Sequence, residues 1–354
     1  MCSQRTIMGM QSFRLVHLLL SSIVFLFVFV LYQRILVTSL SAQVRNIEQV
    51  HTAPRLEDAS HDPHDQQKDD IVVIYNRVPK TGSTSFMGVV YDLCGQNGYH
   101  VLHINVTKNS HILSLSDQVR FAQNVTQWQE KKPAVYHGHL AYLDFTRLGI
   151  SQQPIYINII REPLERMISY YYFLRYGDDF RPHLNRRKKG NTMTFDECVE
   201  EGLVECDVKN LWLQIPFFCG HAAECWVPGS EWALSEAKHN LVHKYLLVGV
   251  TDEISDFITL LEFALPRVFH GASAYFTAGE KSHLRKTKQK LPPSPETLNK
   301  IQQTRVWKME NEFYEFALEQ FHAVKKRTLV VDSNGQFIDR GQQFKYMKVR
   351  PKPS

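Results

Sequence analysis

The pattern of apolar and polar positions divides the chain into an apolar amino-terminal run, a polar stretch, and a long segment in which strand and helix patterns alternate. From Leu15 to Tyr32 the residues are apolar except for His17, Ser21 and Ser22, a run close to the roughly 20 residues that span a bilayer. This predicts a single transmembrane helix over 15–37. The following stretch to residue 69 is rich in Gln, His and Asp, contains Pro54 and Pro63 and lacks sustained apolar periodicity, so it reads as a stem. Ile71-Val72-Val73-Ile74-Tyr75 is then a nearly continuous apolar run of the kind buried parallel strands show, and Pro154–Ile160 is another. Each passes through a short polar loop into a helix pattern, the second with Pro163 in the first turn and a helix from Leu164 to about Arg175. Near the carboxyl end Leu298, Ile301, Met309, Phe313, Phe316 and Phe321 fall on one face of a predicted amphipathic helix, a core-packing face. The repeated strand-loop-helix pattern predicts an α/β fold with a central parallel sheet flanked by helices.

At 354 residues the chain has room for one large α/β domain with extensions or for two smaller ones. A composition of 44% hydrophobic and 22% charged residues excludes disorder for most of it. The net charge of +5 is too small to argue for a polyanionic partner, so that argument rests on local clusters: Arg186-Arg187-Lys188-Lys189, and Lys281, His283, Arg285, Lys286, Lys288 and Lys290. Four of the six cysteines, Cys198, Cys206, Cys219 and Cys225, crowd into one stretch, as an oxidising compartment would produce. Zinc is the rival reading, but paired CxxC spacings are absent. Cys94 is expected inside a helix as a buried thiol. The sequons at Asn105 and Asn124 follow the apolar run and would be glycosylated only in the secretory lumen. Together with the cysteines they predict a type II membrane protein with a cytosolic tail (1–14), a signal anchor (15–37), a stem (38–69), a luminal domain (70–327) and a carboxy-terminal tail (328–354). A cleaved signal peptide is the alternative, against which the run exceeds the roughly 7–15 apolar residues of a signal core.

The loop Asn76–Ser85, between a strand and a helix, is an anion site in outline. Gly82 permits close backbone approach, the amides at the helix start point at the anion, Thr81, Ser83, Thr84 and Ser85 add hydroxyls, and Lys80 adds a charge. The lysine precedes the glycine, so this is not the Walker pattern; a plain capped helix start is the alternative for the loop taken alone. In the second unit Arg161 falls at the carboxyl edge of its strand, and Ser169, two helical turns on, faces the same crevice, where α/β proteins bind nucleotides. An ion pair is the alternative for Arg161. In Tyr136-His137-Gly138-His139, extended backbone would put both imidazoles on one face. An imidazole suits a general base near neutral pH, although a structural pair or a metal half-site has the same spacing.

The segments "PKTGSTS" and "REPLERMISYYY" resemble the 5'-phosphosulfate loop and the 3'-phosphate segment of sulfotransferases that use 3'-phosphoadenosine 5'-phosphosulfate (PAPS). From about Asp70 to Phe321 the chain is similar to the heparan sulfate 2-O-sulfotransferase family, most tellingly in "YNRVPKTGSTSF", "YHGHLAYLDF", "YYYFLRYGDDFRP", "LWLQIPFFCGH", "KSHLRKT" and "WKMENEFYEFALEQF". The resemblance implies a P-loop-like sulfotransferase fold and PAPS as donor with no metal required. Lys80, Thr81, Gly82, Ser83 and Thr84 would hold the 5' end, Arg161 and Ser169 the 3'-phosphate, and Ser282, Thr287 and Lys290 would close over the donor. His139 would be the base, His137 its support, and Lys80 would stabilise the leaving oxygen. Arg77, Tyr91, His103, Arg186 and Arg285 would contact the acceptor, an iduronate within heparan sulfate. Disulfides Cys198–Cys206 and Cys219–Cys225, a homotrimer in which the tail takes part, and a Golgi membrane location follow from the same likeness; nucleic acid is not an expected partner. Three rival readings stay open here: a uronyl 2-O-sulfotransferase acting on dermatan or chondroitin sulfate, a nonenzymatic heparin-binding membrane protein, and a luminal phosphoryl-transfer enzyme, which would need a divalent metal.

Overall fold

The structure, a computed structural model, describes residues 69–178, 183–279, 287, 289–331 and 337–338. The predicted cytosolic tail, the anchor and the stem as far as residue 68 lie outside these residues, as do Ser282 and Arg285. Asp69, the first of these residues, pairs its carboxylate with Arg267.

Five parallel strands form one sheet: β1 (Val72–Asn76), β2 (His100–Ile104), β3 (Ala134–Gly138), β4 (Ile155–Ile160) and β5 (Tyr245–Val250), in the spatial order β2-β3-β1-β4-β5. Every residue of β1 and β3 is buried. Successive side chains point to opposite faces, so unbroken burial means that both faces are covered, as parallel sheets require. The edge strand β2 is more exposed, and His100 and His103 face solvent. The helices that bear on the site are α1 (Ser83–Leu93), α2 (Leu115–Gln127), α3 (Pro163–Tyr176), α4 (Gln214–Cys219), α5 (Glu231–Lys244), α6 (Ile254–Ala264) and α7 (Arg305–Thr328). The chain builds outward from β1 to β2 and β3 on one side, then crosses to β4 and β5 on the other. The carboxyl end of β1 is therefore the point where loops diverge and a crevice opens.

Beneath that crevice lies a buried polar node. Asn158 Nδ2 donates to the main-chain oxygen of Asn76 (2.8 Å) and to its Oδ1 (3.0 Å), and the Tyr245 hydroxyl donates to the same Oδ1 (3.1 Å). Asn76 Nδ2 donates in turn to the Phe217 carbonyl of α4 (3.2 Å). An apolar residue at 76 would take away the acceptor of the buried Tyr245 hydroxyl, a loss of about 1–3 kcal/mol if that group stays unsatisfied, whereas Asn158 would keep the main-chain oxygen and the Phe217 carbonyl the Tyr142 amide.

Both expected disulfides are formed, Cys198–Cys206 and Cys219–Cys225. The first closes a smaller core in which Leu164, Ile168 and Tyr171 of α3 pack on Phe195 and Leu211. Two expectations need correction. The carboxy-terminal apolar stripe is divided between Pro295–Gln302, which carries Leu298 and Ile301, and α7, which carries Met309, Phe313, Phe316 and Phe321. Thr304 makes the break: its hydroxyl donates to the Ile301 carbonyl (2.6 Å) and accepts from the Trp307 amide (3.3 Å), closing one helix and capping the next. Cys94 is not inside a helix but at the C-cap of α1, half-buried, because the helix ends there and Sγ turns back to the Tyr91 carbonyl (3.1 Å).

Gly138 separates the two candidate histidines, and a Cβ there would lie 2.6 Å from the Ile104 carbonyl oxygen and 2.7 Å from the Ile104 Cβ. The positions of a carbonyl oxygen and of a Cβ are set by the backbone, so neither can rotate away. Gly138→Ala is expected to lower stability by about 1–3 kcal/mol, read as a fall in the thermal midpoint; an unchanged midpoint would show that β2 can shift at no penalty.

Candidate active site

The loop after β1 continues the sheet pairing by one residue, since the Arg77 amide donates to the Gly138 carbonyl (2.8 Å). It then turns sharply. Lys80 has φ 70° and Gly82 has φ 76°. The glycine takes this conformation readily, but for lysine it costs about 1–3 kcal/mol and calls for a functional reason. The Thr81 hydroxyl, fully buried, donates to the Val78 carbonyl (3.0 Å) and so braces the loop from within. Ser83 is buried and Thr84 half-buried at the start of α1, which no side chain caps, the arrangement suited to an anion. The Lys80 ammonium lies 4.1 Å from the centre of the Phe173 ring of α3, and the Arg186 guanidinium lies 4.3 Å from the same ring. One aromatic ring thus positions a cation of the anion loop and one of the basic cluster. Arg186 also pairs with Asp178 at 3.5 Å.

The second anion position forms at the end of β4. Arg161 is the first residue past the strand, and its main chain is gripped by a buried side-chain amide: its N–H donates to Gln214 Oε1 and Gln214 Nε2 donates to its carbonyl, each at 2.9 Å. Gln214 is held by Glu310, whose Oε1 accepts from the amides of Leu213 (2.8 Å) and Ile215 (3.1 Å). Burial pushes the Glu310 carboxyl up to about 7 against the lowering pull of Arg166 and these amides. The Arg161 guanidinium meets Glu165 at 3.3 Å, one helical turn on, and the Lys290 ammonium pairs with the same carboxylate oxygen. Ser169 Oγ, buried, lies 3.5 Å from Thr287 Oγ1. Arg161, Ser169, Thr287 and Lys290 are thus brought into one neighbourhood, and the ion pair expected as an alternative for Arg161 is present as well.

The third group is the histidine cluster. β3 ends at Gly138, so His137 lies within the sheet and His139 just past it. His137, 2% exposed, stacks on His103, its register partner on β2, at 4.8 Å, and its Nε2 is 2.6 Å from the hydroxyl of Tyr91 on α1. Its Nδ1 is buried with no partner among the described residues. Burial first, and the charges of Arg77, His103 and His139 after it, lower its pKa to about 3. His139 Nδ1 is 2.8 Å from the Arg77 carbonyl, and its Nε2 is 3.3 Å from Arg77 Nη2. A carbonyl only accepts and a guanidinium only donates. The proton therefore sits on Nδ1 and Nε2 presents its lone pair. Burial, then the Arg77 charge, holds the His139 pKa near 4 against the raising effect of the carbonyl, so the ring is neutral across the physiological range.

Of the residues expected to contact an acceptor, Arg77, Tyr91 and His103 surround this histidine pair, Arg186 sits at Phe173, and Arg285 lies outside the described residues with Ser282. Asn105 and Asn124 are both exposed, Asn124 on α2. Sequence reasoning missed Glu165, Gln214, Glu310 and Phe173. The i,i+4 spacing from Arg161 was a readable signal for Glu165; Gln214 and Glu310 come from distant parts of the chain and carry no local signal.

Buried neutral histidines link stability to pH. His137, His139 and His221 have folded pKa values of about 3, 4 and 4, below the ordinary 6.5, so the unfolded chain binds more protons below 6.5. The stability they allow is complete above that pH and is lost as pH falls toward 4. His221, whose Nδ1 accepts from the Leu113 amide (3.1 Å), lies outside the histidine cluster around Arg77. Thermal melts of His221→Gln across this window should show a pH slope shallower by about one proton than the parent's; an identical slope would mean that His221 does not titrate on unfolding.

The profile of the sulfotransferase family matches residues 65–317 of this chain. Heparan sulfate 2-O-sulfotransferase 1 from Gallus gallus is 58% identical over 312 residues, and the Homo sapiens protein of the same name 57%, each alignment covering 88% of this chain and 86% of the relative. A Drosophila melanogaster heparin sulfate O-sulfotransferase is 57% identical over 80% of this chain and 79% of its own. Among solved structures, a mouse sulfotransferase in complex with PAP covers 75% of this chain and 91% of its own, at 14% identity and a TM-score of 0.32, a likeness too slight to argue from. With a parallel α/β sheet, an anion loop after its first strand and these relatives, the chain belongs to the sulfotransferase family, alongside the heparan sulfate 2-O-sulfotransferases.

Proposed function

We propose that this chain moves the sulfuryl group of PAPS to the 2-hydroxyl of a uronic acid, mainly iduronate, in heparan sulfate, as a single-pass type II protein of the Golgi membrane whose catalytic domain faces the lumen and which assembles as a homotrimer. For the chemistry, the observation that carries this is the His139 ring, neutral and with the Nε2 lone pair presented, one strand away from the Lys80 loop. For the glycan, the support is the high identity to relatives that carry the heparan sulfate name. The paired cysteines and exposed Asn105 and Asn124 support a luminal domain.

A donor with phosphates at both ends requires two anion positions, and the residues present fit it: the Lys80 loop at the end of β1, and Arg161, Ser169, Thr287 and Lys290 beyond β4. PAPS supplies the sulfuryl group and a phosphate leaving group. Arg161 holds the 3'-phosphate, exchanging its contact with Glu165 for a stronger bidentate one. Gln214 fixes the Arg161 main chain and so the distance between the two anion positions. Lys80, steadied on Phe173, places its ammonium where charge develops on the leaving oxygen. His139 takes the acceptor hydroxyl proton at Nε2 and keeps its own at Nδ1 on the Arg77 carbonyl. His137 is suited to support rather than to catalysis, because its Nε2 is engaged by Tyr91 and its Nδ1 is enclosed.

Radiolabelled PAPS, offered to the full chain with desulfated heparan, dermatan and chondroitin separately, should label the uronate 2-position of heparan and continue to do so in excess EDTA. Label mainly on dermatan or chondroitin would reassign the acceptor, and a donor-binding protein without transfer would overturn the reading. His139→Ala should lose about 10²–10⁴-fold in kcat with PAP affinity unchanged, and an active His139→Ala would remove the base assignment. Gln214→Leu should weaken PAP binding about tenfold while leaving AMP binding unaltered, since only the 3'-phosphate depends on Arg161; equal losses for both nucleotides would contradict the positioning role.

A further inference from the structure

Arg77 is placed unusually for a residue expected only to hold the acceptor. Its guanidinium is half-buried, Nε is buried with no partner, and among the described residues no carboxylate lies within ion-pair distance. Burial lowers its pKa, only partly offset by the tyrosine hydroxyls of Tyr75 and Tyr91. A buried cation without an acid is a demand for an anion. Nη2 instead meets a lone pair, that of His139 Nε2 at 3.3 Å, its hydrogen-bond partner among the described residues. That is the atom the proposed base must leave open to the acceptor hydroxyl.

We infer that Arg77 is a specificity gate, capping the lone pair of His139 until an anionic group of the acceptor, a uronate carboxylate or a neighbouring sulfate, draws the guanidinium away and frees Nε2 for the hydroxyl. This rests on His139 as the base. Once freed, Nε2 takes the hydroxyl proton as the acceptor oxygen bonds to sulfur and the bond from sulfur to the donor's phosphate oxygen breaks, the electron pair leaving with that oxygen.

The uncapping is also an electrostatic event. The groups that act on His139 are Arg77 from the β1–α1 loop, His111 ahead of α2 and His103 on β2, with His137 on its own strand and none of them an acid. An acceptor anion would neutralise the nearest of these charges and remove a donor from Nε2. Both changes raise basicity. An acceptor without the anion would leave the base capped, so selection for an acidic sugar would act on turnover as well as on binding.

The test is NMR of ring-labelled histidine in the full chain purified in detergent with PAP bound, the His139 signal being assigned by its loss in His139→Asn. Before acceptor is added, His139 should titrate below the ordinary imidazole value, as burial and the Arg77 charge dictate. An acceptor oligosaccharide should raise that midpoint by about one pH unit or more. If carboxyl reduction of the oligosaccharide abolishes the rise, the carboxylate is the trigger; if replacing N-sulfate by N-acetyl abolishes it, the sulfate is. A bound, intact acceptor that leaves the midpoint in place overturns the gate. Arg77→Met should show the raised midpoint without acceptor and should narrow the ratio of kcat between intact and carboxyl- or sulfate-modified acceptors; a midpoint equal to the parent's also overturns it. An active His139→Ala removes the base reading and the gate together, whereas an inactive His139→Ala combined with a parent His139 midpoint that the acceptor does not move removes the gate alone.

Discussion

The structure turns on Asn76, the last residue of β1. Its side chain and carbonyl gather donors from Asn158 on β4 and Tyr245 on β5, and its amide reaches α4. A buried amide that both donates and accepts holds its neighbours in one register, because a slip leaves unpaired polar groups in a low-dielectric interior. From that node the chain departs into the Lys80 loop, with β3 and the histidines to one side and β4 with Arg161 to the other. Strand, loop and helix thereby fix three functional groups that lie far apart in sequence.

The site built on this frame is rich in positive charge. Arg77, Lys80, Arg161, Arg186 and Lys290 come from four parts of the chain, and among the described residues Glu165 pairs with Arg161 and Lys290, and buried Asp178 with Arg186. Phe173 accommodates two of the cations on its ring. Such a site is costly without ligand and complementary to a sulfated donor and a polyanionic acceptor. Burial first, and the Arg77 charge after it, keeps the histidines neutral, which is the protonation state a base needs.

Much of this was legible in the chain. The apolar runs before Asn76 and Arg161 marked two central strands, and Lys80, Gly82 and Pro163 marked the turn and the helix starts beyond those strands, because such features depend on local backbone geometry. The spacing of His137 and His139 indicated a shared site but not their division of labour, which depends on Tyr91 and the Arg77 carbonyl. The brace that the Thr81 hydroxyl makes to the Val78 carbonyl was not legible, since a threonine at a helix start serves equally as brace or ligand. Thr304 hid a helix break inside an unbroken apolar stripe. Gln214 and Glu310, which hold Arg161 from afar, were beyond any local pattern, as tertiary hydrogen bonds generally are.

The most direct test is a crystal structure of the chain with PAP and a heparan oligosaccharide bound together. The account predicts the 5'-phosphate in the Lys80 loop and a uronate 2-hydroxyl within about 3 Å of His139 Nε2, on the side facing that phosphate. A hydroxyl held by His137 instead, or a nucleotide whose 5'-phosphate lies away from Lys80, would contradict it.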